Sequence, residues 1–215
     1  MDPRAHFRPD SGELQSLFRG IYRLYTEDQY AYSMATSKTG SFWLTETVQL
    51  PAAAASGTPR YEGTIDLGAY VDVGDQQAVA IEQVDFIWQT SSDNGSDPSG
   101  MMAGNGTLGA QLTDLNPGIL FVRADDNNLV ASGALSIDAT NNIASHSSDF
   151  YPDTFGKLDE ARIIVNDQLY LTVGVDGAAT GGTYVNCTVR IKCRVVKLST
   201  KDWMAIAIQS TASDN

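Results

Sequence analysis

Histidine is the side chain most often asked to move protons in a protein, and this chain has two, His6 and His146. His146 lies in Ala144-Ser145-His146-Ser147-Ser148-Asp149, which holds the residue types of a Ser/His/Asp set. Such a set works only when the three groups converge beside an oxyanion hole, and neighbours in a polar loop supply neither. Asp93-Asn94-Gly95-Ser96-Asp97 and Asp125-Asp126-Asn127-Asn128 offer hard oxygens of the kind calcium prefers, without EF-hand spacing. At such density Asp and Asn are turn formers. The sequence has no Gly-rich phosphate loop, no zinc-protease helix motif and no nucleophile elbow. The expectation is a protein with no catalytic residues, no cofactor and no bound metal.

The chemistry that the spacing does suggest is recognition by charge. From Tyr184 to Val195 apolar and polar residues alternate with period two, the pattern of a half-buried strand. Cys187, Val189, Ile191 and Cys193 then face a core, while Thr188, Arg190, Lys192 and Arg194 face outward. A chain with 14 basic residues and a formal charge of −12 thus sets three of its cations in one exposed column. That column calls for an acidic counterpart, and the sequence offers no evident one within a lone domain. The strand also keeps the two cysteines apart: six residues at about 3.3 Å each separate them by roughly 20 Å, beyond the ~7 Å reach of a disulfide. Two thiols that cannot pair, behind an N-terminus without an apolar signal-peptide core, are expected of a protein made in a reducing cytosol.

The elements that hold the column are strands. Phe42 and Leu44, then Ile65, Leu67 and Ala69, then Val84, Phe86 and Trp88 follow period two, and further strands are expected at 119–123, 129–137, 162–165 and 169–175. Asp125 to Asn128 and Asn166-Asp167 are expected to turn hairpins. The stretches 51–59, 90–109 and 141–155 are too long for simple turns, and loops of that length serve binding or subunit contact. Ahead of the strands, Asp10-Ser11-Gly12-Glu13 forms a capping box, and Leu14, Leu17, Phe18, Ile21, Leu24 and Tyr25 fall at helical spacing, so a helix is expected over about residues 11–25.

The expected fold is all-β: a single antiparallel jelly-roll sandwich of about eight strands, residues 31–215, behind an N-terminal arm, residues 1–30, that carries the amphipathic helix. Periodicity does not separate it from an up-and-down barrel. The Cys, Trp, Cys arrangement of immunoglobulin domains is absent. Trp43, Trp88 and Trp203 fall in or beside apolar-periodic segments, which points to packing more than to a sugar-binding platform. Leu14, Leu17, Phe18 and Ile21 of the arm would pack on their own sandwich or on a neighbouring subunit or lipid surface, and with Arg190, Lys192 and Arg194 of the column they are the residues expected at contacts between subunits.

Two stretches resemble a known family. Glu62 to Trp88, in which an Ile-Asp-Leu strand leads to an apolar strand ending in an aromatic, resembles the early strands of small viral coat proteins. The run Val185 to Gln209, with Cys-Thr-Val-Arg-Ile-Lys-Cys-Arg-Val-Val-Lys-Leu, is similar to the last strand and tail of capsid proteins from circular single-stranded DNA viruses of the smacovirus kind. The resemblance implies a coat protein that self-assembles into an icosahedral shell around a genome and has no catalytic residues to carry over. Other copies of the chain are then its partners, the virion its location and the host cytosol its place of synthesis. The chain departs from that family in being short and in lacking a strongly basic arm, since its first 25 residues hold four arginines against three acids. A packed nucleic acid would be neutralised by cations or another protein, or the shell would enclose a membrane vesicle. The competing expectation from another class is a carbohydrate-binding or adhesin-like sandwich.

Overall fold

A computed structural model describes residues 35–57, 60–90, 93–95, 97–147 and 161–211. The expected helix at 11–25 lies outside them. Among the described residues, ten strands and one helix follow in order: β1 Ala35–Ser37, β2 Phe42–Leu50, β3 Tyr61–Asp66, β4 Gln77–Thr90, β5 Gly106–Thr113, β6 Leu129–Asp138, β7 Ile143–Ser147, β8 Arg162–Ile164, β9 Gln168–Gly177, β10 Val185–Leu198 and α1 Thr200–Thr211.

Every strand pairing is antiparallel, and the strands form two sheets. In one, β10 lies between β2 and β4, β8 pairs the far edge of β4, and β1 continues the line of β2 along β10. In the other the order is β3-β9-β5-β6-β7. Sequence neighbours pair only at β5–β6 and β6–β7, whereas an up-and-down barrel pairs them throughout. The pairings β2–β10, β4–β10 and β3–β9 are long crossings between strands that start and end the chain, and they define a jelly roll with β1 and β7 added at its edges.

The core fills the space between the sheets. Leu108, Ala110 and Leu112 of β5 and Leu169, Leu171 and Val173 of β9 meet Val84 and Trp88 of β4 and Cys187, Val189, Ile191 and Cys193 of β10. Each such large side chain contributes about 1.5–3 kcal/mol by leaving water. Both thiols are buried and free on the inner side of one strand, as the period predicts.

β4 breaks its own alternation. Its pairing with β10 slips between Lys192 and Cys193, where Gln83 is opposite Lys192 and Ile81 opposite Cys193, leaving Glu82 as an extra residue. Ile81 and Val84 therefore both point inward although they are three residues apart. The same slip turns Ala78 and Ala80 outward, where they join Ala35, Val196 and Leu198 in a second cluster covered by Trp203, Ile206 and Ala207 of α1.

That helix is absent from the sequence expectation. Ser199 caps it: its hydroxyl accepts the Asp202 amide at 3.2 Å and donates to the Asp202 carboxylate at 2.6 Å. Other elements also differ. β7 and the first half of β5 occupy stretches expected to be loop, and 119–123, expected to be a strand, is part of the 114–128 connection. Positive φ at Gly118 and Ile119 turns the chain there. The Asn166-Asp167 turn joins β8 to β9 across the two sheets and is no hairpin.

The 114–128 segment lies on the outer face of the second sheet because two glycines leave room. Gly109 and Gly174 are register partners, and a Cβ on them would meet Phe121 at 3.0 Å and Arg60 at 2.3 Å. Arg60 packs over the Phe121 ring at 4.4 Å, pairs with Asp176 at 2.9 Å and donates to the Val175 carbonyl. Gln111 completes the attachment by exchanging two hydrogen bonds with the backbone of Val122, at 2.8 and 3.0 Å.

Candidate interaction surface

The basic column stands on the outer face of the first sheet, as the alternation of β10 requires. Arg190 lies between Thr45 of β2 and Asp85 of β4, and Lys192 between Trp43 and Gln83. Arg190 is exposed, and its guanidinium sits 4.7 Å above the ring of Trp43. Trp43 is itself 44% exposed, so of the three tryptophans assigned to packing this one faces solvent, while Trp88 is buried and Trp203 packs from α1 onto the sheet. The reason is parity: on β2 the inward positions are those of Phe42, Leu44, Val48 and Leu50, and Trp43 falls between them.

The acidic counterpart is in the same chain, which corrects the sequence expectation. Glu82, the bulged residue, has its carboxylate 8% exposed and takes the Arg194 guanidinium on one oxygen, Lys192 at 3.8 Å and the Ser41 hydroxyl at 2.8 Å on the other. Arg194 also reaches Ser41 Oγ at 3.2 Å. A one-residue slip brought Glu82 out of the inward row of β4, and neither composition nor period announces it. The column is thereby divided in two. Lys192 and Arg194 neutralise an internal carboxylate, whereas Arg190 and Trp43 are exposed to solvent. Above them the face is a polar ladder: Thr47 and Thr188 share a hydrogen bond at 2.8 Å, and Gln49 donates to Asn186 at 3.1 Å.

A second buried ion pair lies at β8, whose Arg162 pairs with Ile81, the neighbour of Glu82. Asp114, 3% exposed, meets Arg162 of β8 at 3.5 Å, and Asn166 donates to its carbonyl at 2.8 Å. Burial pushes the Asp114 carboxyl up to about 6, against the opposing pull of Arg162. The pair borders a cavity of about 200 Å³ under Ile206, Gln209 and Ser210 of α1.

The residues that could have suggested catalysis do not converge. His146 is exposed on β7, and strand geometry turns Ser145 to the opposite face from it. Asp149 lies outside the described residues. Asp93 and Asp126 cap turns, each accepting the amide two residues on, at 2.8 and 2.9 Å. Among the described residues no three His, Cys, Asp or Glu side chains gather as metal ligands would. Leu14, Leu17, Phe18 and Ile21 lie outside the described residues.

No family model matches the chain, and no curated protein matches it. Among solved structures, a VP1 pentamer of Washington University polyomavirus is similar at 11% identity over 75% of this chain and 96% of that one, with a TM-score of 0.34. Trichodysplasia spinulosa-associated polyomavirus VP1, in complex with sialylated glycooligomers, is similar at 9% identity over 75% and 97%, with a TM-score of 0.32. Turnip yellow mosaic virus is similar at 11% identity over 75% and 96%, with a TM-score of 0.27.

Proposed function

We propose that the chain is a viral coat subunit, a single-jelly-roll capsid protein of the smacovirus-like kind whose copies self-assemble into an icosahedral shell. The observation that supports this reading is the strand order: β2-β10-β4-β8 against β3-β9-β5-β6 is the two-sheet arrangement on which coat subunits are built, as are some lectin domains and cupins. Fold alone does not fix function. The outer face supplies the second support, because an exposed Trp stacked with an exposed Arg is the residue pair that interfaces favour. A sugar platform is less well served, since one face of Trp43 is taken by Arg190 and Trp88 is buried.

In this reading residues 31–215 form the shell domain, and residues 1–30 are an arm whose Leu14, Leu17, Phe18 and Ile21 contact neighbouring copies. The subunit is made in the host cytosol and resides in the virion. With a chain charge of −12, a packaged nucleic acid is neutralised by cations or a second protein, and an enclosed membrane vesicle is the variant.

Light scattering and negative-stain microscopy of the purified chain test the reading. Closed particles are expected, and Arg190→Glu should shift them toward free subunits while leaving the circular dichroism spectrum unchanged. A wild type that stays monomeric at high concentration across salt and pH would overturn it.

A further inference from the structure

The two ends of the sandwich carry surfaces of complementary chemistry. At one end, residues 97–102 and the β6–β7 hairpin enclose a cleft of about 410 Å³. Buried Met102 and Ile137 form its floor, exposed Ala139 and Ile143 add apolar wall, and Asp97 and Asp138 stand at its rim. Ile143 is 58% exposed there. Both carboxylates are fixed. Asp97 accepts the Ser99 amide and hydroxyl, each at 2.9 Å, and Asp138 accepts the Asn141 side-chain amide at 2.6 Å and the Thr140 amide at 3.0 Å. These bonds hold both groups below the usual carboxylate range, so the rim carries two full negative charges at neutral pH.

At the other end β10 passes into α1. The helix turns Trp203, Ile206 and Ala207 onto the sheet and leaves Lys201, Met204 and Ile208 on one exposed stripe, at i, i+3 and i+7. Met204 is 55% and Ile208 64% exposed. An apolar pair preceded by a cation is the complement of an apolar floor with an acidic rim. α1 packs beside Ala80 and Asp114, while Ile137 of the cleft pairs with Gly106 at the opposite end of β5, whose 8 residues span roughly 25 Å at about 3.3 Å each, so α1 does not reach the cleft of its own chain.

We infer that α1 of one copy seats Met204 and Ile208 in the cleft of a second copy, with Lys201 at the Asp97 and Asp138 rim, joining subunits head to tail. The contact deepens the self-assembly proposed above and rests on it. It follows the helix-in-groove mode, in which a short row of i, i+3, i+7 side chains anchors the helix. Affinity comes from the apolar side chains, because an exposed ion pair adds little, and the charges set the orientation. A head-to-tail contact closes into a ring when its rotation divides the circle.

Cysteine trapping with the full chain tests the contact. Ala139→Cys and Met204→Cys proteins, mixed under mild oxidation, should give a covalent heterodimer that neither gives alone. Cys187 and Cys193 do not compete, being buried. Met204→Asp with Ile208→Asp, both on the exposed helix face, should weaken association at least about tenfold. Lys201→Glu should weaken it less, and Asp97→Lys added to Lys201→Glu should restore it. If the wild type forms particles while the mixture gives no cross-link and the double variant assembles normally, the contact is wrong and the coat reading stands. If the cross-link forms but no particles do, the contact stands and the shell fails. If neither forms, both fall.

Discussion

The outer faces of the two sheets are built on the same jelly roll and treated in opposite ways. On the second sheet, a pair of facing glycines strips the surface of side chains, and a single connection, 114–128, fills the gap with Phe121 under Arg60. On the first sheet, a bulge divides the face: small alanines lie beneath α1, and beyond Glu82 come the charged and aromatic residues open to water. One face is closed by the chain's own loop. The other leaves part of itself exposed to solvent, and what distinguishes them is whether the outward residues leave room for self-contact.

The comparison breaks most visibly at Gly174. Gly174→Val places a side chain where the Arg60 guanidinium packs, and should expel Arg60 and Phe121 together at a cost of about 3 kcal/mol, read as a fall in the urea midpoint. On the first sheet, Arg194→Met leaves the Glu82 carboxylate buried with Lys192 and Ser41 alone, and should cost about 2–3 kcal/mol. Glu82→Leu combined with Arg194→Met should recover most of that loss, because the desolvated charge is then gone. A double variant as unstable as the single would show that the bulge needs its carboxylate for shape.

Asp114 sets a smaller, pH-dependent effect. Its carboxyl titrates near 6 in the folded chain and near 3.8 unfolded, so between those values the folded state holds more protons and stability falls as pH rises. The fall should amount to roughly 3 kcal/mol and be complete by about pH 7. Arg162 opposes the shift and Asp126 adds to it. Asp114→Asn should flatten the difference between pH 4 and 6 in thermal melts. Smallest of all, Arg190→Ala should change stability by no more than about 0.5–1 kcal/mol, since its cation–π contact lies at the surface. A larger loss would mean that the open part of the first face is structural after all.

How much of this the sequence disclosed depends on whether a local pattern carried it. β10 was legible because every second residue from Val185 to Cys193 is buried. β5 was not, because Gly106 and Gly109 thin its pattern, and those glycines matter only for what packs against them. The segment 119–123 reads as a strand by composition, yet its apolar residues lie on the outside of a sheet after a turn at Gly118. The division of the basic column rests on the slip at Glu82, which no period shows in advance. α1 was available: Ser199-Thr200-Lys201-Asp202 is a capping box ahead of apolar residues at 203, 206 and 207.

Cys187 and Cys193 stand at two heights of the same strand, one near the loop end and one at the level of the bulge. Burial makes each thiol a far weaker acid than usual, and for Cys193, pushed up to about 12, the nearby Glu82 adds to the effect. A thiol reagent therefore reacts only when the sheets part, and its rate at each sulfur is a clock for that opening. Two clocks on one strand tell which end of the sandwich breathes first, and slowing of one alone upon association would report which end a neighbour holds shut.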